Sequence, residues 1–244
     1  MKQKILFFGL LAVSLSTAMA QQDRWHFQIG FGGEVKSGNI NSTTLTNTGS
    51  VERNDSLISA SAGYSLIYGE KDKEVYDRGF SANLKFDLWQ YERVSPFVEA
   101  AYLTNKFKGY DHKLSLIAGA KFGLYTLKDI CDYSLSAAYV SEFLKYTEEG
   151  DLRTQVSRLS FRIKVKQRLA DAIMLKHTTF YQPSIMSVSD FADDYIVTSV
   201  TTFENKIGKR LFLDFNFSYE HRSIVPDEVK RDDTRVTANL RYKF

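Results

Sequence analysis

The chain has 244 residues, with 32 Lys and Arg against 29 Asp and Glu, 14% aromatic residues, 3 Pro and 1 Cys. The aromatic content excludes disorder, the lone Cys131 excludes a disulfide scaffold, and no apolar run after residue 20 reaches the roughly 20 residues of a membrane helix. Lys2 and Lys4 fall in an expected leader, which leaves 30 cations against 29 anions and argues against a nucleic-acid partner.

The N-terminus reads Met-Lys-Gln-Lys, then an apolar run from Ile5 to Leu15, then Ala18-Met19-Ala20. A basic start, a short apolar core and a small-residue site form a secretory signal peptide, with cleavage expected after Ala20. The run is too short for an anchor helix. No Cys follows it, which disfavours a lipid-anchored lipoprotein. The domain reading is 1–20 signal peptide and 21–244 mature chain.

From there the chain alternates apolar and polar residues almost without pause. Twelve strands are expected, near 25–36, 41–53, 56–68, 75–89, 95–105, 111–126, 132–145, 154–168, 172–182, 194–205, 210–222 and 234–244. Gly30-Phe-Gly-Gly33 in the first strand has no helix after it, so it is strand and not a phosphate loop. The fourth strand alternates Phe80, Ala82, Leu84, Phe86 and Leu88 with polar neighbours. The eighth is the clearest, with Leu159, Phe161, Ile163 and Val165 between Arg158, Ser160, Arg162, Lys164 and Lys166. A helix would scatter those apolar residues around its circumference; a strand puts them on one face. The second and tenth strands are only weakly apolar, and the ninth has an ambiguous register.

Connectors add an independent signal. Alternate turns are short, at Asn54-Asp55, 127–131, 169–171 and 207–209, whereas those at 69–74, 146–153, 183–193 and 223–233 are long and polar. An even strand count with short turns at one end and long loops at the other is the layout of an outer-membrane barrel, its termini in the periplasm. Trp25, Tyr64, Tyr68, Trp89, Tyr125, Tyr133, Tyr139 and Tyr242 are read as interfacial girdles. The expected fold is all-β, a transmembrane antiparallel up-and-down barrel of about 12 strands in a Gram-negative outer membrane.

The chain end, Val236 to Phe244, resembles the terminal signature of outer-membrane barrels, which implies insertion by the barrel-assembly machinery. Trp25-His-Phe-Gln-Ile-Gly30, Ser37-Gly38-Asn39, Asn105 to Asp111, Ala118 to Tyr125 and Tyr181-Gln-Pro-Ser184 are similar to the salt-induced outer membrane protein family. Asn105 and Lys106 depart from its acidic-Arg pattern before the Phe-x-Gly turn. The resemblance implies a small barrel linked to salt or osmotic stress, with no catalytic residues to carry over.

Four His residues, 26, 112, 177 and 221, show no paired metal spacing, and no cofactor is expected. A lipid hydrolase at the rim would need a Ser–His pair supplied by neighbouring strands; the residues carry no local signature for one, and no enzyme activity is expected. Acidic residues in the long loops (Asp190, Asp193, Asp194, Asp227, Glu228, Asp232 and Asp233) could hold divalent cations that bridge lipopolysaccharide phosphates, but without ordered ligand spacing they are read as solvated surface.

The polar faces are more informative. Glu34, Asp77, Asp87 and Glu99 fall on the early strands, and Arg158, Arg162, Lys164, Lys166, Arg235, Arg241 and Lys243 on the late ones. An acidic wall facing a basic wall would set a field across the lumen and steer charged solutes. The expected function is therefore a monomeric, narrow channel for small polar or anionic solutes, touching only outer-membrane lipid. The alternative is a structural barrel plugged by its own ion pairs, since a width between eight and sixteen strands permits either.

Overall fold

A computed structural model describes residues 25–36, 42–55, 57–71, 73–108, 110–146, 153–185, 194–224 and 231–244. The leader and the acidic residues Asp190, Asp193, Asp227 and Glu228 lie outside the described residues. Twelve strands run in sequence order: β1 Trp25–Lys36, β2 Ser42–Asn54, β3 Ile58–Lys71, β4 Glu74–Leu88, β5 Val94–Asn105, β6 Tyr110–Leu127, β7 Cys131–Tyr146, β8 Arg153–Ala170, β9 Ile173–Pro183, β10 Tyr195–Lys206, β11 Leu211–Arg222 and β12 Asp232–Lys243. Each pairs antiparallel with its neighbours, and β1 pairs with β12 from Gln28↔Lys243 to Gly33↔Ala238, so the barrel is closed. Closure gives every strand a hydrogen-bonded neighbour on both sides and leaves no edge strand.

The alternation in sequence becomes an inside and an outside. Phe31, Val98, Ile163 and Val236 point outward at 52–61% exposure, and Ser95, Ser134, Ser136 and Ser160 point inward and are buried. On β8 the facing is the one expected: Phe161 and Ile163 out, Arg158 and Arg162 in. An apolar outer face cannot be stable in water; it needs lipid around it.

Two expectations fail. The ladder of β3 and β4 runs to Lys71↔Glu74, so the long loop at 69–74 is strand with a tight turn, and a bulge falls at Gly69/Glu70. Lys73 takes a left-handed φ of 70° to make that turn, a conformation uncommon outside Gly, Asn and Asp. Tyr64 and Tyr139 are not at strand ends. Tyr64 lies midway along β3 over Gly49, where an added Cβ would come within 2.3 Å of the ring, and donates to Asn47 at 3.0 Å. An aromatic covering a strand glycine restores the packing that glycine lacks.

Both described chain ends and the short turns share one end of the barrel: the Phe244 amide donates to the Phe27 carbonyl at 3.0 Å. The end of β9 and the start of β10, like the end of β11 and the start of β12, lie at the other end.

Candidate functional site in the barrel lumen

One sector of the wall is built from small, neutral residues. On β2 the inward positions are Thr44, Thr46, Thr48 and Ser50; β1 contributes Gly30 and Gly32, β3 contributes Gly63 and Ser65, and β4 contributes Gly79, Ser81 and Asn83. These short side chains leave space. Two cavities of about 260 Å³ each lie against this wall and meet at Thr48, Ser65 and Ser81. Gly32 is required for this packing: a Cβ there would sit 1.6 Å from the Asn239 Oδ1 that lies over it.

The remaining sector is filled. Phe97 on β5 points inward and is only 6% exposed. Arg162 reaches across from β8 until its guanidinium lies 5.5 Å from the Phe97 ring and 5.7 Å from Phe180, with Nε donating to Ser136 at 2.8 Å. Lys85 covers the same Phe97 ring at 4.9 Å and holds Asp87 at 2.6 Å. A cation over an aromatic face is attracted by the ring's quadrupole, most strongly where water is excluded. Val140 and Leu144 of β7 are buried beside this sector.

Towards the short-turn end, Arg241 organises a network. Its Nε donates to Asp214 Oδ2 at 2.6 Å, Nη1 to Gln28 at 2.7 Å, and Nη2 to both Asp214 and Glu204. Glu204 also takes Lys176 at 2.7 Å and Lys243 at 3.7 Å. The Lys243 ammonium and the Arg241 guanidinium both lie over Phe212. Towards the long-loop end, Arg158 bridges Glu142 and Asp194, and Glu142 also holds Lys113 at 2.6 Å. Arg235 crosses from β12 to Asp77 on β4 at 3.2 Å, and Asn105 donates to the same carboxylate at 2.8 Å.

The expected lumen residues are thus inward, but they are not two opposed sheets of charge. Asp77 and Arg235 are partners, Arg158 and Arg241 are each neutralised by two carboxylates, and Asp87 belongs to Lys85. Glu99 hydrogen-bonds with Asn83, near Lys85 and Arg162. Lys164 lies near Lys121, Arg162 and Asp132, leaving a local basic surplus with Lys166 below it on β8. The side chain of Glu34 lies outside the described part. Sequence reasoning missed the carboxylates Glu142, Glu204 and Asp214 and the inward rings Phe97, Phe180 and Phe212. The carboxylates stand in polar phase on β7, β10 and β11; the rings stand in the same phase as charges, which an apolar-out rule cannot find. No group of three metal-ligating side chains occurs among the described residues.

A family model described as "Protein of unknown function, DUF481" matches residues 29–244. The chain belongs to that family. No curated protein matches it. Among solved structures it is similar to the NanC porin (8% identity, 89% of this chain and 98% of that one, TM-score 0.54). An outer membrane channel from Pseudomonas putida F1 matches at 9% identity over 91% of this chain and 96% of that one, TM-score 0.53. The translocator domain of the autotransporter NalP from Neisseria meningitidis matches at 12% identity over 100% of this chain and 95% of that one, TM-score 0.50. Likenesses at such low identity speak for a shared barrel fold.

Proposed function

We propose that this DUF481 barrel is a narrow outer-membrane channel for small polar solutes, and that the solute path runs along the β1–β4 wall. The observation that carries this reading is the pair of cavities meeting at Thr48, Ser65 and Ser81, because open space coincides with the hydroxyl-, amide- and glycine-lined sector. Such groups exchange hydrogen bonds with a passing solute, and the charges that reach these cavities, Arg241 in one and the Arg235–Asp77 pair in the other, are held by partners of their own. The short turns and both chain ends face the periplasm in this reading, and the long loops the outside. The surplus of Lys121, Arg162, Lys164 and Lys166 tips the channel towards anions. A link to salt stress rests on the sequence resemblance, and the barrel itself works without chemistry or cofactor.

The plugged alternative draws on the ion pairs between non-adjacent strands: Arg235–Asp77 joins β12 to β4, Arg241–Glu204 joins β12 to β10, and both narrow the lumen. Conductance of the refolded full chain in a planar bilayer separates the two. The wild type should pass discrete current steps, and Ser65→Trp, which obstructs the point where the two cavities meet, should abolish most of that current while the barrel still folds. A silent wild type would make the barrel structural.

A further inference from the structure

The outer face of the barrel is apolar along most strands, yet midway along β9 and β10 it is not. Lys176 and Glu204 form an ion pair in the lumen, so the odd-numbered residues of both strands point outward. There His177 pairs in register with Thr201, and Thr179 with Ser199. His177 Nδ1 is 2.9 Å from Thr201 Oγ1, His177 Nε2 is 2.9 Å from Thr179 Oγ1, and Thr179 donates to Ser199 Oγ at 3.2 Å. With Thr179 donating onward, Nε2–H donates to Thr179 and Nδ1 accepts from Thr201. The relay ends on the hydrogen of Ser199, which has no side-chain acceptor among the described residues. Phe203, Phe215 and Phe217 flank the cluster at 43–49% exposure. The polar track continues to the long-loop rim through Tyr195, stacked 5.7 Å from His221, and the His221–Asp232 contact at 2.9 Å.

Ionisable and hydroxyl side chains directed at lipid are costly, and within a bilayer they mark surfaces that face protein or water. We propose that the β9–β10 outer face is an interface at which a second copy of this chain docks, the two barrels related by a two-fold axis along the membrane normal. Three features favour a second copy over other occupants. Each group in the cluster is both donor and acceptor, so the patch is self-complementary, as an isologous contact requires. Every copy inserts at the same depth, so a normal-axis two-fold brings Ser199 and Thr201 opposite their own equivalents. Acyl chains offer nothing polar at mid-strand, and phosphate head groups lie only at the rim. Hydrogen bonds between Ser, Thr and His side chains are the known polar glue between membrane segments. The apolar rings around the cluster close the contact against lipid. The proposal needs the barrel to lie in a bilayer but does not depend on conductance, and it departs from the monomeric expectation of the sequence.

The test uses the full chain in isolated outer membranes, with Cys131→Ser as background. Ser199→Cys is compared with Leu84→Cys, an outward position on the opposite side of the barrel, under a short thiol cross-linker. Ser199→Cys should give covalent dimer about tenfold above Leu84→Cys, and replacing His177→Leu with Thr201→Val in the Ser199→Cys chain should lower that yield by about tenfold, the loss of two or three membrane hydrogen bonds. If this last variant no longer shows the heat-dependent gel shift of a folded barrel, the Ser199→Cys and Leu84→Cys comparison decides alone. Equal cross-linking at the two positions would overturn the interface.

Discussion

The β1–β4 wall and the wall that follows it share one architecture and differ in what they place inside. On β2 the inward row is Thr44, Thr46, Thr48 and Ser50; on β8 it is Arg158, Ser160, Arg162, Lys164 and Lys166. The first row is short, and open volume lies against it. The second extends side chains across the lumen to partners three strands away, as Arg162 does to Phe97. A closed barrel of fixed strand number has a fixed interior, so volume left empty on one side must be matched by side chains packed on the other. The hole is placed by side-chain length, not by strand geometry.

If that division is right, the two sectors should respond differently to truncation, and the largest effect should come from the Arg241 network. Removing the guanidinium in Arg241→Leu strands Asp214 and Glu204, whose side chains are about 10% exposed, against Lys176 and Lys243 alone. Loss of one partner from a nearly buried charge cluster costs about 3–5 kcal/mol. Reversible urea unfolding in lipid vesicles should show that loss for Arg241→Leu and almost none for Ser65→Ala in the open sector. Equal midpoints for the two variants would erase the distinction.

The next effect sharpens inside against outside on a single strand. Phe161 faces out at 45% exposure, while the neighbouring Arg162 faces in. Phe161→Arg puts a cation into lipid at a cost of about 2–4 kcal/mol near the bilayer midplane. Arg162→Gln forgoes two cation–aromatic contacts of about 1 kcal/mol each, and the bond to Ser136, but leaves a neutral polar residue within the filled sector. Vesicle unfolding should rank them in that order, and a Phe161→Arg barrel as stable as wild type would falsify the facing.

The smallest effect is on selectivity. Arg162→Gln combined with Lys164→Gln should leave the barrel folded and the open sector unchanged, yet shift the reversal potential under a salt gradient away from anions, because fixed charge biases ion occupancy in a narrow lumen. An unchanged reversal potential would confine selectivity to the neutral wall. It would show that these cations only fill space.

The strands, their number and their inward phase were legible in the residues because a membrane barrel repeats one local rule, a period of two, over and over. Lumen-facing Arg162 and Arg241 could be named from that phase alone. Their partners could not. Asp77 meets Arg235 across 158 positions of sequence, and Gln28 meets Arg241 across 213. Those distances exist only once β1 has closed on β12, and nothing local encodes them. The tight turn at Lys73 was missed for a related reason: Gly69, Glu70 and Lys71 read as polar loop, and the ladder with β4 extends the strand through them. The outward cluster of His177, Thr179, Ser199 and Thr201 sits in two strands whose alternation is weak, because polar residues there occupy both faces. Alternation set which side each residue takes; ring closure decided which charges meet, where the interior is full and where it is open.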